Sequence, residues 1–245
     1  MFAFIRLPPA PTLAPLVAGD DPRPALQLLA DAGFHHVQLS AALPGMRPRD
    51  LDRSARRDLL ARLRRIELTA VGVDLWIPEE HFTAPEHADR AAAVLDAITF
   101  AADLGRVPLS LRLPDGMDDH VAQAWRSRAE ICGVAIANHS PTPHALLHAG
   151  IDPAALLAAA LDPAAHASNV PRLAAARFSD FRDESRVAPG SGRLDVLAYQ
   201  VALVSRRFES PVALDLRRVV NPWAALDTAI DAWAATKILL APEGN

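Results

Sequence analysis

Residues 174–217 constrain the fold more than any other stretch. An apolar run, AAARFSD, ends in polar residues; a Pro/Gly/Ser loop follows, then a helical pattern, VLAYQVALVSRRF, and a second apolar run, ESPVALDLR, that again ends in charge. This is a strand, loop, helix, strand unit. Strands joined through a helix lie parallel, and parallel sheets are buried on both faces. Polar side chains at the C-terminal ends of such strands need a reason, and here they are Arg177, Ser179, Asp180, Asp215 and Arg217.

The same alternation runs along the whole chain. Strand signals fall at 2–7, 36–40, 69–77, 107–113, 134–139, 144–151, 172–179 and 211–216, and the Pro-rich PPAPTLAP after the first reads as loop. Helical periodicity covers 21–32, 51–66, 85–104, 118–131 and 194–207, and Asp152-Pro153 and Asn221-Pro222 open two more helices with an N-cap followed by proline. Only SPTP separates His139 from His144, so the helix between strands five and six is missing or reduced to a turn. Eight strand signals in this order predict an α/β fold, a (β/α)8 TIM barrel, as a single domain over 1–245. An open doubly wound sheet would leave the eighth strand and the absent Gly-rich first turn unexplained. The barrel reading places Phe4 beside Val212, and it leaves apolar outer surface of strands five and six exposed or covered by a second copy of the chain.

Composition narrows the partners. A chain of 245 residues with 51% hydrophobic content can build one large core, and its net charge of −4 offers no basic excess for nucleic acid. Cys132 stands alone, which excludes an internal disulfide framework and fits a cytoplasmic protein. No apolar run approaches the roughly 20 residues that span a bilayer, and no charged segment followed by an apolar core marks a leader, so no membrane partner is expected. Walker, GxGxxG, HExxH and CxxC motifs are absent. PGSGRLD reads as a connecting loop, or as a cradle of backbone N–H groups for an anion.

Strand parity then sorts side chains. If the large aliphatics face the helices, Gln38, Ser40, Asp74, Trp76, Ser110, Arg112, His139, His148, Asp152, Arg177, Ser179, Asp215 and Arg217 face the barrel interior, mostly near C-terminal strand ends. Polar residues converging at that end of a barrel mark a site, or a salt-bridge network that plugs the mouth.

These residues also carry a resemblance. The order of elements, DPAALL after strand six, SD ending strand seven, the PGSGRLD loop and the acid ending strand eight resemble the sugar phosphate isomerase/epimerase family of xylose isomerase-like TIM barrels. The resemblance implies a divalent metal held by a Glu on strand five, an Asp on strand six, a His on strand seven and a Glu on strand eight, which polarises a hydroxy-ketone while carboxylates move protons. Here Ala137 takes the place of the first Glu and Arg177 that of the His, while Asp152 and Asp215 match the two remaining acids and Ala155 replaces a further His. Arginine keeps its proton, so Arg177 puts a fixed positive charge where the metal would sit, within ion-pair reach of Asp152 or Asp215. No cofactor or tightly held metal is expected; Asp152 and Asp215 leave open only a weak divalent cation.

Two function classes follow. One is an isomerase- or epimerase-like enzyme with a degraded metal site, acting by metal-free acid/base chemistry on a sugar, sugar acid or sugar phosphate. Its catalytic residues would be Asp152, Arg177 and Asp215, and Asp74, Trp76, Arg112, His139, Asp180 and Arg217 would bind substrate. The other is a non-catalytic binding or interaction module that keeps the barrel and locks those charges in ion pairs.

Overall fold

The computed structural model describes residues 7–78, 80–83 and 89–236. Its eight barrel strands are β1 (Pro9–Pro11), β2 (His36–Ser40), β3 (Thr69–Asp74), β4 (Leu109–Leu111), β5 (Ile136–Asn138), β6 (His148–Ile151), β7 (Leu173–Phe178) and β10 (Val212–Leu214). They pair in parallel in the order β1-β10-β7-β6-β5-β4-β3-β2. A parallel bridge between Thr12 and Gln38, with the Leu13 N–H donating to the Gln38 carbonyl at 3.0 Å, brings the first strand against β2 and nearly closes the barrel. The remaining strands, β8 (Asp180–Arg182) and β9 (Ser185–Val187), form an antiparallel hairpin between β7 and the next helix.

The closing strand is not where the apolar run suggests. Val212 faces Pro9, inside the stretch expected to be loop, and the expected partner Phe4 lies outside the described residues. Prolines are tolerated here because alternate residues of a parallel strand donate to opposite neighbours. Thr12 donates to Leu214 on one side and Leu13 to Gln38 on the other. Pro9 and Pro11 share the parity of Leu13, so the missing N–H groups fall on the β2 side, where pairing begins only at Thr12.

The helices are α1 (Arg23–Asp31), α2 (Arg53–Arg65), α3 (Glu80–Thr83), α4 (Asp89–Asp103), α5 (Asp119–Cys132), α6 (Pro153–Ala158), α7 (Pro163–Asn169), α8 (Val196–Ser205) and α9 (Pro222–Ala235). Their starts follow local chemistry: the side chains of Asp52, Asp118, Asp152, Asp162, Asp195 and Asn221 each accept from a backbone N–H of the first turn. Asp162-Pro163 repeats the Asp152-Pro153 signature and splits the expected sixth helix in two. Gly133 ends α5 at φ 66°, in the left-handed region where the absent Cβ costs nothing.

Between β5 and β6 the described chain has no helix, although the strand expected from His144 begins only at His148 and the connection is longer than the four residues SPTP. The exposed apolar face expected there is nevertheless absent. Val134, Ile136, Ala149 and Ile151 are all buried, and Leu147 from the connecting segment is buried in the same core. The segment is pinned at its far end by Arg172, which donates to the Ala145 carbonyl at 2.7 Å. The surface that would have called for a second copy is thus covered by the chain itself. Among the described residues no helix is long and apolar enough to cross a membrane.

Candidate functional site

Interior side chains stack in two polar layers. The lower layer crosses the barrel as a chain of hydrogen bonds: the Thr12 hydroxyl donates to Gln38 Oε1 (3.2 Å), Gln38 Nε2 donates to Ser110 Oγ (3.2 Å), and Ser110 Oγ meets His139 Nε2 (3.0 Å). His139 fits because the neighbouring strand carries Gly150, where a Cβ would lie 2.6 Å from the imidazole. Burial, and after it the nearby Arg177 charge, holds His139 well below the usual histidine range, so the ring is neutral. His148, at the lower end of β6, is half-buried near Arg172, Arg126 and Glu130 and takes no part in either layer.

The upper layer is an alternation of three guanidinium groups and three carboxylates. Arg177, at the end of β7, ion-pairs with Asp74 from β3, with Asp152 at 3.4 Å and with Asp215 at 3.7 Å. Arg217, two residues past Asp215, donates from Nε to Asp215 Oδ1 at 2.8 Å. The third cation is Arg186, from hairpin strand β9, which reaches back over the mouth to pair with Asp152 and, at 3.0 Å, with Asp215. Ser179 donates to Asp152 Oδ1 at 2.7 Å while its own oxygen accepts the Ala154 N–H at 3.0 Å, which fixes the carboxylate at the start of α6. Tyr199 on α8 donates to the Arg177 carbonyl at 2.9 Å and anchors the strand end from outside.

Burial by itself would raise the carboxyl groups of Asp152 and Asp215. The surrounding guanidinium groups, Arg186 foremost at Asp152 and Arg217 at Asp215, overcome it and hold both acids well below the usual carboxylate range. Burial lowers Arg177, while Arg186 and Arg217 are raised by the carboxylates they face in spite of their own burial. Asp152 and Asp215 are therefore ionised near neutral pH, and the layer sets three guanidinium groups against three carboxyl groups.

Above it opens a cavity of about 590 Å3. Its wall carries Arg112, Arg177, Arg186, Arg217 and Arg218, with Asp152 as its one acid, and Trp76 stands at its edge, 43% exposed. Arg218 adopts φ 63°, a left-handed conformation that a residue with a Cβ enters at a cost of order 1 kcal/mol. A second cavity, of about 290 Å3, is also lined by Trp76, Ile77 and Pro78.

Of the residues expected at a site, Asp74, Trp76, Arg112, Asp152, Arg177, Asp215 and Arg217 are brought together at the mouth. His139 lies beneath, in the lower layer, and Asp180 lies elsewhere. The Asp180 carboxylate accepts four backbone N–H groups: Phe181 (2.8 Å) and Leu194 (3.0 Å) on one oxygen, Gly190 (3.1 Å) and Gly192 (2.8 Å) on the other. The PGSG loop is thus a cradle, but the anion it holds is the chain's own Asp180. With both oxygens doubly engaged, the expected ligand contact at Asp180 is corrected to a loop-fastening role. Arg186 is the functional candidate that the sequence reading lacks. Its hairpin turns at Asp183 and Glu184, both at positive φ (49° and 60°), without the Asn or Gly that normally announces such a turn.

The resemblance implied a divalent metal, and this donor set does not suit one. Ala137, which pairs in register with the inward-facing Ser110, offers no ligand atom. Asp74, Asp152 and Asp215 each already face at least two guanidinium groups. Among the described residues no group of three or more His, Cys, Asp or Glu side chains is arranged to hold an ion.

No family model matches the sequence, and no curated protein matches it. Solved structures do match in fold. A xylose isomerase domain protein from Planctomyces limnophilus superposes with a TM-score of 0.72 at 15% identity, over 94% of this chain and 96% of that one. The IOLI protein, whose crystal structure holds a zinc atom, gives 0.72 at 15% identity over 94% and 97%. An L-ribulose 3-epimerase gives 0.64 at 13% identity over 98% and 89%. The chain therefore has the xylose isomerase-like TIM-barrel fold, at sequence distances that speak for architecture alone.

Proposed function

We propose that the barrel mouth binds a small anionic, polyhydroxylated molecule of the sugar-acid or sugar-phosphate class, with guanidinium groups supplying the charge that a metal supplies elsewhere on this fold. The observation that carries this reading is the layering of charge. The carboxylates of Asp74, Asp152 and Asp215 sit beneath their partners with at most 2% of each side chain exposed, while Arg186 and Arg217 show 17% and 16%. A ligand entering the cavity meets donors first. Arginine suits this task because its planar fork matches phosphate and carboxylate oxygens two at a time.

The same layering weighs against acid/base catalysis by Asp152 and Asp215. A general base works best with a pKa near the operating pH and within hydrogen-bond reach of the proton it takes. Both acids are held far below that range, and although Asp152 reaches the cavity wall, at most 1% of either side chain is exposed. Asp152, Arg177 and Asp215 then form the charged floor of a binding site, and the binding-module alternative is the better supported of the two function classes. Thermal denaturation with ribose 5-phosphate, gluconate and free ribose tests this: the two anions should raise the melting temperature and the neutral sugar should not. Equal stabilisation by ribose, or none by either anion, refutes it. Solvent deuterium incorporation into a ketose or aldose by the purified protein would restore the enzyme reading.

A further inference from the structure

The large cavity has an annex of different chemistry. The second cavity, of about 290 Å3, shares Trp76, Ile77 and Pro78 with the first, so the two adjoin along this segment. There the wall is mostly apolar, with Ala41, Ala42, Leu75 and Ala93, and it also carries His81 and Asp96. Its arginines are engaged at the edges: Arg47 Nε donates to the Ala42 carbonyl at 3.2 Å, and Arg49 pairs with Asp50 at 3.8 Å. A large aromatic side chain left 43% exposed at the join of a cationic chamber and an apolar one is poorly explained by core packing.

Resting on the anion-binding reading above, we infer that the ligand is two-headed: an anionic, polyhydroxylated part on the arginines, joined to a flat apolar or aromatic group that lies against Trp76 and enters the second cavity. Aromatic phosphate esters and aryl glycosides of sugar acids have this chemistry. The apolar group contributes by removing the indole face and the alanine wall from water, and the anion fixes the orientation.

Calorimetric titration of the full chain with inorganic phosphate and with phenyl phosphate separates the two claims. Phenyl phosphate should bind about tenfold more tightly than phosphate, the gain that about 1.4 kcal/mol provides. Ala93→Phe and, independently, Ala42→Phe fill the annex at positions that do not line the first cavity and its arginines. Each should bring the two affinities to within about twofold of one another, with phosphate affinity unchanged and folding checked by the melting temperature. Equal affinity of the native chain for both probes overturns the two-headed ligand and leaves the anion site standing. A phenyl preference that survives in both filled variants overturns it as well, because the aryl group then lies elsewhere. Failure of both probes to bind the native chain overturns the anion reading and this inference together.

Discussion

Two buried carboxylate centres lie close together in sequence and are held in opposite ways. Asp180 is gripped by four backbone N–H groups of its own loop, whereas Asp152 and Asp215 are gripped by the side chains of Arg177, Arg186 and Arg217. Backbone donors cannot turn to a ligand without unfolding the loop. Guanidinium groups can, because each has five N–H donors and a flexible stem, so a carboxylate held by them leaves donors over for a guest. The first arrangement fastens the molecule and the second equips it to bind, although both neutralise an aspartate.

The sharpest way to break the comparison is to remove the central cation. Arg177→Met leaves three buried carboxylates with two guanidinium groups, and an uncompensated buried charge costs about 3–5 kcal/mol. For a domain of this size we expect the melting temperature to fall by about 10 °C. A fall of only a degree or two would mean that Arg186 and Arg217 neutralise the acids without it. Asp180→Ala should follow, losing about 2–3 kcal/mol because four N–H groups lose a charged acceptor. Its phosphate affinity should nevertheless stay within about twofold of the native value by calorimetric titration, on the reading that the loop lies outside the site. Tenfold weaker binding would show that the hairpin and its Arg186 are held in place through Asp180.

Much of this contrast was legible in the sequence, and the parts that were not have specific causes. Period-two alternation in strands three, seven and eight placed Asp74, Arg177, Asp215 and Arg217 on the interior face, and the Ala137 and Arg177 replacements pointed to an ion pair where a metal would be. Arg177 does meet Asp152 and Asp215. Arg186 was hidden because residues 181–187 carry no Gly or Asn turn signal, and because only the folded hairpin returns that side chain to the mouth. The β1 strand was hidden by its prolines, whose tolerance depends on which neighbour each N–H would have faced. Asp180 misled for the same reason that it matters: a polar residue at a strand end satisfies a loop as readily as it greets a ligand.

A smaller effect sharpens the metal side of the comparison. Arg177→His with Ala137→Glu supplies an N and an O ligand beside Asp152 and Asp215, and from sequence this pair of changes should restore divalent-metal binding. The structure adds a competitor, since Arg186 still pairs with both acids. We therefore expect the double variant to bind manganese weakly and the triple variant with Arg186→Met to bind it at least about tenfold more tightly, a difference of about 1.4 kcal/mol by calorimetric titration. Tight manganese binding by the native protein would overturn the charge assignment altogether.

The smallest expected effect lies in the lower layer and concerns pH. His139 is held well below its usual range by burial first and the Arg177 charge second, so the folded state keeps it neutral while the unfolded chain takes up a proton near pH 6.5. The unfolded state thus binds more protons as pH falls, and stability present above about pH 6.5 is lost below it, with a slope from this group no steeper than about 1.4 kcal/mol per pH unit. Asp152 and Asp215, with lowered values of their own, act in the same direction only at lower pH, below about 3.8, where the unfolded acids become protonated. His36, His148 and His166 are also lowered by partial burial and contribute to the slope between pH 6.5 and 5, so the native curve alone does not isolate His139. His139→Gln retains a group able to bond Ser110 and does not titrate. Urea denaturation between pH 6.5 and 5 should therefore give a shallower loss of stability for the variant than for the native chain, and parallel curves would mean that His139 is charged in the folded barrel, contrary to its place between Gly150 and Ser110.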